Sequence, residues 1–141
     1  MEDDCGKWIN MVAHKLKKRL NATLADIGIT GVQSRVMRYI LEHYEEEPIF
    51  QRDVENVFGL SRSTATGILQ LLEKNEVIRR EGVAHDGRLK SLVPTEKAFQ
   101  LSARIYDDIR ETEAIMTRDI PGDQLQLFLR LAAQMYRNLD D

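Results

Sequence analysis

The sequence of 141 residues holds one cysteine, Cys5, three prolines and one tryptophan. A single thiol excludes an intrachain disulfide and fits a reducing compartment, so the fold must rest on packing. No apolar run approaches the ~20 residues that a membrane-spanning helix needs. The start, Met1-Glu2-Asp3-Asp4, lacks the basic and apolar regions of a signal peptide, and a cytoplasmic location is expected. Catalytic signatures are missing as well: there is no Gly-rich phosphate loop, no His-Glu-x-x-His and no Gly-x-Ser-x-Gly. His14, His43 and His85 are scattered, and none neighbours Cys5. Surface or packing roles are expected for them, with no metal site, no cofactor and no enzyme activity.

An excess of positive charge is lacking too. The net charge is −3, which at first argues against a nucleic-acid partner. Its distribution softens the objection. Residues 1–49 carry seven Lys+Arg against eight Asp+Glu, residues 50–97 eight against seven, and residues 98–141 five against eight. The acidity sits outside the middle of the chain, where Arg62, Arg79, Arg80, Arg88 and Lys90 must supply any attraction for phosphate.

What is present is 43% hydrophobic and 30% charged residues, the balance of one soluble globular domain with a real core. The stretch from Leu60 to Thr95, LSRSTATGILQLLEKNEVIRREGVAHDGRLKSLVPT, is the most informative. Ser61 suits a helix N-cap, since its hydroxyl can accept from a free N–H of the first turn. Ala65, Ile68, Leu69 and Leu72 then recur at helical spacing and make one apolar face. The other side carries Arg62, Ser63, Thr66, Gly67 and Gln70. Ser, Thr and Gly are poor helix formers, and a face built from them leaves room for something to approach closely. A DNA major groove admits a helix and is read by Arg, Ser, Thr and Gln at base edges and phosphates. An ordinary surface helix rich in Ser and Thr is the alternative reading.

Val77-Ile78-Arg79-Arg80 begins a strand, Gly82 to Gly87 reads as a loop, and Leu89 to Val93 returns. Such a hairpin projects Arg88 near its tip, where Asp86 can hold the guanidinium through a charge-assisted bond. An extended arginine suits the negative potential of a narrow minor groove. An exposed hairpin with an incidental ion pair is the other reading.

The helix, the hairpin and the Asp-x-Arg together resemble the winged helix-turn-helix of the MarR family of bacterial transcription regulators. The likeness is sharpest over LSRSTATGILQLLEKNEVIRR, DGR and VPTEKA and extends over nearly the whole chain. Asn75-Glu76 stands where the family commonly has Lys-Gly, and Ala98 where a Gly often follows. Asn75 is expected to take the left-handed conformation that ends the helix. The resemblance implies a small effector, bound between the DNA-binding lobe and the dimer helices, that changes the spacing of the two readers. Some members sense oxidants through a cysteine of the first helix; Cys5, with Asp3 and Asp4 beside it, reads better as an inert thiol.

Elsewhere, Trp8, Ile9, Val12, Leu16, Leu20 and Leu24 form a helical stripe, with Lys15, Lys17, Lys18 and Arg19 on its polar side. Thr30-Gly31-Val32-Gln33 has the form of a capping box and opens a helix to about Tyr44. Glu45-Glu46-Glu47-Pro48 stops it. Ile49 to Phe58 is a short amphipathic helix with Ile49, Val54, Val57 and Phe58 inward, and Gly59 turns it into the next. Thr95 is expected to cap a helix over 96–117, with Phe99, Ile105, Ile109, Ile115 and Met116 on its apolar side. After Pro121-Gly122-Asp123, a last helix carries more apolar residues than one core face needs, which suggests a subunit interface.

The expected fold is mainly α with a small β-hairpin: a winged helix-turn-helix lobe over 30–97, with dimerisation helices at 1–29 and 98–141. The expected function is a homodimeric, sequence-specific DNA-binding regulator, a repressor, acting on a pseudo-palindromic operator and released by a small molecule. DNA contacts are assigned to Ser61, Arg62, Ser63, Thr64, Thr66, Gln70, Asp86 and Arg88. Dimer contacts are assigned to Trp8, Val12, Leu125, Phe128, Leu129, Met135 and Tyr136, with Trp8–Leu24 packed against 123–139 of a two-fold mate. A winged-helix module that grips a protein, or an oxidant-sensing regulator using Cys5, is the alternative.

Overall fold

The computed structural model describes residues 4–83 and 86–141, with the backbone alone for Asp86 and Gly87. Its elements are α1 (Cys5–Ile27), α2 (Gly31–His43), α3 (Gln51–Phe58), α4 (Arg62–Lys74), β1 (Ile78–Val83), β2 (Asp86–Pro94), α5 (Glu96–Met116) and α6 (Gly122–Asn138). This is the mainly α class with one hairpin that the sequence implies. No described helix is long and apolar enough to cross a membrane. The chain forms two compact units, one up to Asp108 and one over Ile109–Asp141.

In the first unit, α1 starts earlier and ends later than its apolar stripe. The Asp4 carboxylate accepts from the N–H of Gly6 at 3.0 Å and of Lys7 at 3.4 Å. Gly28, at φ 79°, closes the other end in the left-handed conformation that glycine adopts without strain. The capping box of α2 is present: Gln33 N–H donates to Thr30 Oγ1 at 3.2 Å, and Thr30 N–H to Gln33 Oε1 at 3.1 Å. Val36, Met37 and Ile40 of α2 are buried at the centre of the unit. Around them lie Val54 of α3, Ala65, Leu69 and Leu72 of α4, Val77, Ile78, Leu92 and Ala98. Ile68 is half-buried against the same core.

Of the positions expected inward around α3, one lies ahead of the helix and one faces out. Ile49 is buried but precedes the helix, and its carbonyl accepts from Leu92 N–H at 2.7 Å, tying the hairpin to the unit. Val57 is 55% exposed. Val54 and Phe58 form the i, i+4 row that meets the core, and a residue one step back from Phe58 is turned about 100° away.

The end of α4 also differs. Asn75 sits at φ −84°, ψ 7°, and the left-handed residue is Glu76, at φ 62°. Val77 N–H donates to Leu72 O at 2.8 Å and Glu76 N–H to Glu73 O at 3.0 Å. This pair of bonds is the Schellman ending, which places its left-handed position one residue after the cap. A side chain there costs roughly 1–2 kcal/mol, and glycine gives back part of that through greater freedom of the unfolded chain. Glu76→Gly is therefore expected to stabilise the protein by about 0.5–1 kcal/mol, checked by chemical denaturation; an unchanged or lower midpoint would contradict the strain.

β1 and β2 pair antiparallel from Ile78↔Pro94 to Gly82↔Lys90, and then Val83↔Asp86. Gly87, Arg88 and Leu89 thus fall opposite a single step, Gly82–Val83, and bulge from the ladder. The strands run closer to the tip than the expected Gly82–Gly87 loop, and Ala84 and His85 lie outside the described residues. The Thr95 hydroxyl, just ahead of α5, points at the carbonyls of Glu76 and Val77 at 2.5 and 3.0 Å, pinning the root of the hairpin to the end of α4.

In the second unit, Asp119 (φ 63°) bends the chain before α6. No residue of α6 is buried, and Phe128, Leu129 and Tyr136 are 61%, 58% and 73% exposed. Leu125 is half-buried and Met135 exposed. Trp8 and Val12 of α1 are likewise exposed, which excludes a core role for Trp8 within one chain.

Candidate nucleic-acid interface

Ser61 fixes the start of α4. Its hydroxyl oxygen accepts from Thr64 N–H at 3.2 Å, as a cap should, and its hydrogen reaches Thr64 Oγ1 at 2.9 Å. Ser63 Oγ lies 3.3 Å away. With the apolar face of α4 held in the core, Arg62, Ser63, Thr64, Gly67 and Gln70 are exposed and Thr66 is half-buried. The face expected to be small, polar and outward is so.

Arg62 and Thr66 border a groove of about 700 Å³ that α3 and the hairpin complete. Gln51, Arg52, Asp53 and Glu55 come from α3; Arg80, Arg88, Leu89 and Lys90 come from the wing. Five cations face two carboxylates there, so a chain of net charge −3 concentrates positive charge in one concavity. Ser63, Thr64 and Gln70 lie on the same helix but outside that lining. Arg88 stands exposed on the bulge. The side chain of Asp86, and with it the expected pairing to Arg88, lies outside the described residues, as does His85.

The cation cluster is not composed quite as expected. Arg79 points to the other face of the hairpin, where it donates to Glu81 Oε1 at 2.6 Å and borders a separate hollow with Glu45, Glu46 and Glu47. Strand alternation puts Arg80 and Arg79 on opposite faces. Arg80 keeps to the groove side and donates to Glu73 at 3.1 Å. Arg52 joins instead. Its place in the first turn of the helix before the Gly59 turn was the available signal, since both helices of the pair border one groove. The acidic loop lies elsewhere, around Tyr39: burial first, then Asp53, Glu47 and Glu46, raise that hydroxyl above its ordinary pKa.

Cys5 is exposed at the first position of α1. The N–H groups that could steady a thiolate there already bond the Asp4 carboxylate.

A helix-turn-helix whose second helix shares a cationic groove with the hairpin that follows defines a winged helix-turn-helix protein. Residues 27–89 match the model of the MarR family. Among solved structures it is similar to MepR, described as a transcription regulator of the Staphylococcus aureus multidrug efflux pump MepA. The identity is 19% over 96% of this chain and 98% of that one, with a TM-score of 0.85. The S. aureus MepR–DNA complex matches at 20% identity, 95% and 98% coverage and a TM-score of 0.82. S. aureus MepR bound to ethidium bromide matches at 20% identity, 98% coverage of both chains and a TM-score of 0.75.

Proposed function

We propose that the protein is a homodimeric, sequence-specific DNA-binding transcription regulator without enzymatic activity, acting as a repressor. The lobe over 30–97 reads the operator, and the helices at 1–29 and 98–141 join the two copies. The carrying observation is the groove in which Arg52, Arg62, Arg80, Arg88 and Lys90 gather beside Thr66, at one edge of the polar face of α4. A cationic concavity beside a helix of small polar groups matches a phosphate backbone flanking a major groove. In this reading Arg62, Ser63, Thr66 and Gln70 contact bases and phosphates, Ser61 and Thr64 anchor the helix start, and Arg88, oriented by Asp86, enters the minor groove. Two such helices enter successive major grooves about one turn, ~34 Å, apart.

The apolar faces of α1 and α6 support the dimer, and the MepR structure holding ethidium bromide supports release by a small molecule. Such a ligand acts only by preferring one spacing of the two readers to the other.

A salt-titrated mobility shift with the protein's own upstream DNA tests the reading. A dimer making six to ten phosphate contacts should lose about 10³–10⁵-fold in affinity between 50 and 200 mM salt. Binding indifferent to salt, or retention of a protein and no duplex, would favour a protein-gripping module instead.

A further inference from the structure

Gln51, the first residue of α3, reaches across to α4. Its Nε2 lies 2.8 Å from Thr66 Oγ1 and 3.3 Å from the carbonyl oxygen of Arg62. A backbone carbonyl can only accept, so the amide must face α4 with its nitrogen and not its oxygen. That nitrogen has two hydrogens, one for each acceptor. Thr66 oxygen therefore accepts, and the hydrogen of Thr66 must point elsewhere.

For a threonine inside a helix, the usual acceptor is the carbonyl four residues back. Thr23 of α1, and Thr117 just past the end of α5, both use it, donating to Arg19 O at 3.2 Å and Glu113 O at 2.8 Å. The corresponding carbonyl for Thr66 is that of Arg62, which Gln51 already occupies. Thr66 makes no such back bond, and its hydrogen meets no acceptor among the described residues, while the residue lines the cationic groove.

We infer that Gln51 is a positioning residue for DNA recognition: by donating to Thr66 and covering Arg62 O, it turns the Thr66 hydroxyl into a fixed donor aimed into the groove. The acceptor it addresses is a phosphate oxygen or an acceptor edge of a base, groups that DNA presents along the major groove. Gln51 itself need not touch the nucleic acid. The inference rests on the DNA-binding reading above and adds the residue that sets the polarity of one contact.

A double-mutant cycle on the full chain tests it, using a duplex selected by the wild-type protein from a randomised library. Thr66→Val removes the donor and should weaken binding about tenfold. Gln51→Leu frees the Arg62 carbonyl for Thr66 and should cost about the same, with most of that loss absent when Thr66 is already valine. A role in merely holding α3 to α4 would lower the melting temperature and give multiplied losses in the double variant. Should Gln51→Leu melt below the assay temperature, Gln51→Met, which keeps the stem of the side chain, takes its place in the cycle. Losses that multiply to about a hundredfold, or Gln51→Leu binding as tightly as wild type, overturn the role of Gln51 and leave DNA binding standing. A wild-type protein that retains no duplex overturns both.

Discussion

Arg88→Ala is expected to weaken operator binding by about thirty- to twenty-thousand-fold while leaving the melting temperature unchanged. A specific arginine contact contributes about 1–3 kcal/mol, and a homodimer presents the residue twice. Doubling that range, at about 1.4 kcal/mol per factor of ten, gives the predicted span. Arg88 is exposed on the bulge that Gly87, Arg88 and Leu89 make opposite the Gly82–Val83 step, outside the buried core. What anchors the hairpin lies at its other end, where Ile78 and Leu92 are buried and Leu92 N–H reaches Ile49 O. Arg88→Lys separates charge from shape. An ammonium keeps the attraction to phosphate but is more strongly hydrated and lacks the planar fork, so an intermediate loss is expected. Unchanged affinity of Arg88→Ala at physiological salt, measured by fluorescence anisotropy, would remove the wing from the mechanism.

The features legible in the sequence were those set by local chemistry. Thr30 with Gln33, and Ser61 ahead of an apolar row, announce helix starts because a side-chain oxygen three residues from a free N–H can hardly do otherwise. Both caps are there. The apolar row of α4 followed from its period of 3.6, and its polar face with it. The errors came where one residue's freedom or a tertiary partner decides. Asn75 and Glu76 adjoin, and composition favours asparagine for the left-handed position; the Schellman bonds, counted from Leu72, select Glu76. Arg79 and Arg80 read as one basic cluster until strand alternation separates them, and strand phase depends on Ile78 finding the core. Arg52 falls outside the inward row of its helix, but only the packing of α3 beside α4 brings it to the groove. Thr66 reads as a polar group of the outward face and a DNA contact, but nothing local could show that Gln51, fifteen residues earlier, would orient it.

Phe128→Asp should convert the protein to monomers at micromolar concentration and lower operator affinity about a thousandfold. Within one chain no residue of α6 is buried, yet the helix carries Leu127, Phe128, Leu129, Leu131, Met135 and Tyr136, all exposed. A run of that size in water marks a surface meant to be covered. If the cover is a second copy related by a two-fold axis, each substitution enters the interface twice. An aspartate there places an unpaired carboxylate where apolar groups meet, a cost that a homodimer must also bear twice. The loss of DNA affinity follows from linkage between the two readers. Joined, the second lobe finds its half-site at an effective concentration of order millimolar; as free monomers at about a micromolar, the pair forfeits roughly that ratio. Circular dichroism should show the helices intact, because Phe128 belongs to no core of its own chain. Sedimentation equilibrium decides the matter. A Phe128→Asp variant that still sediments as a dimer, or a wild type that is already monomeric, would mean that α6 is not what holds two readers at a fixed spacing.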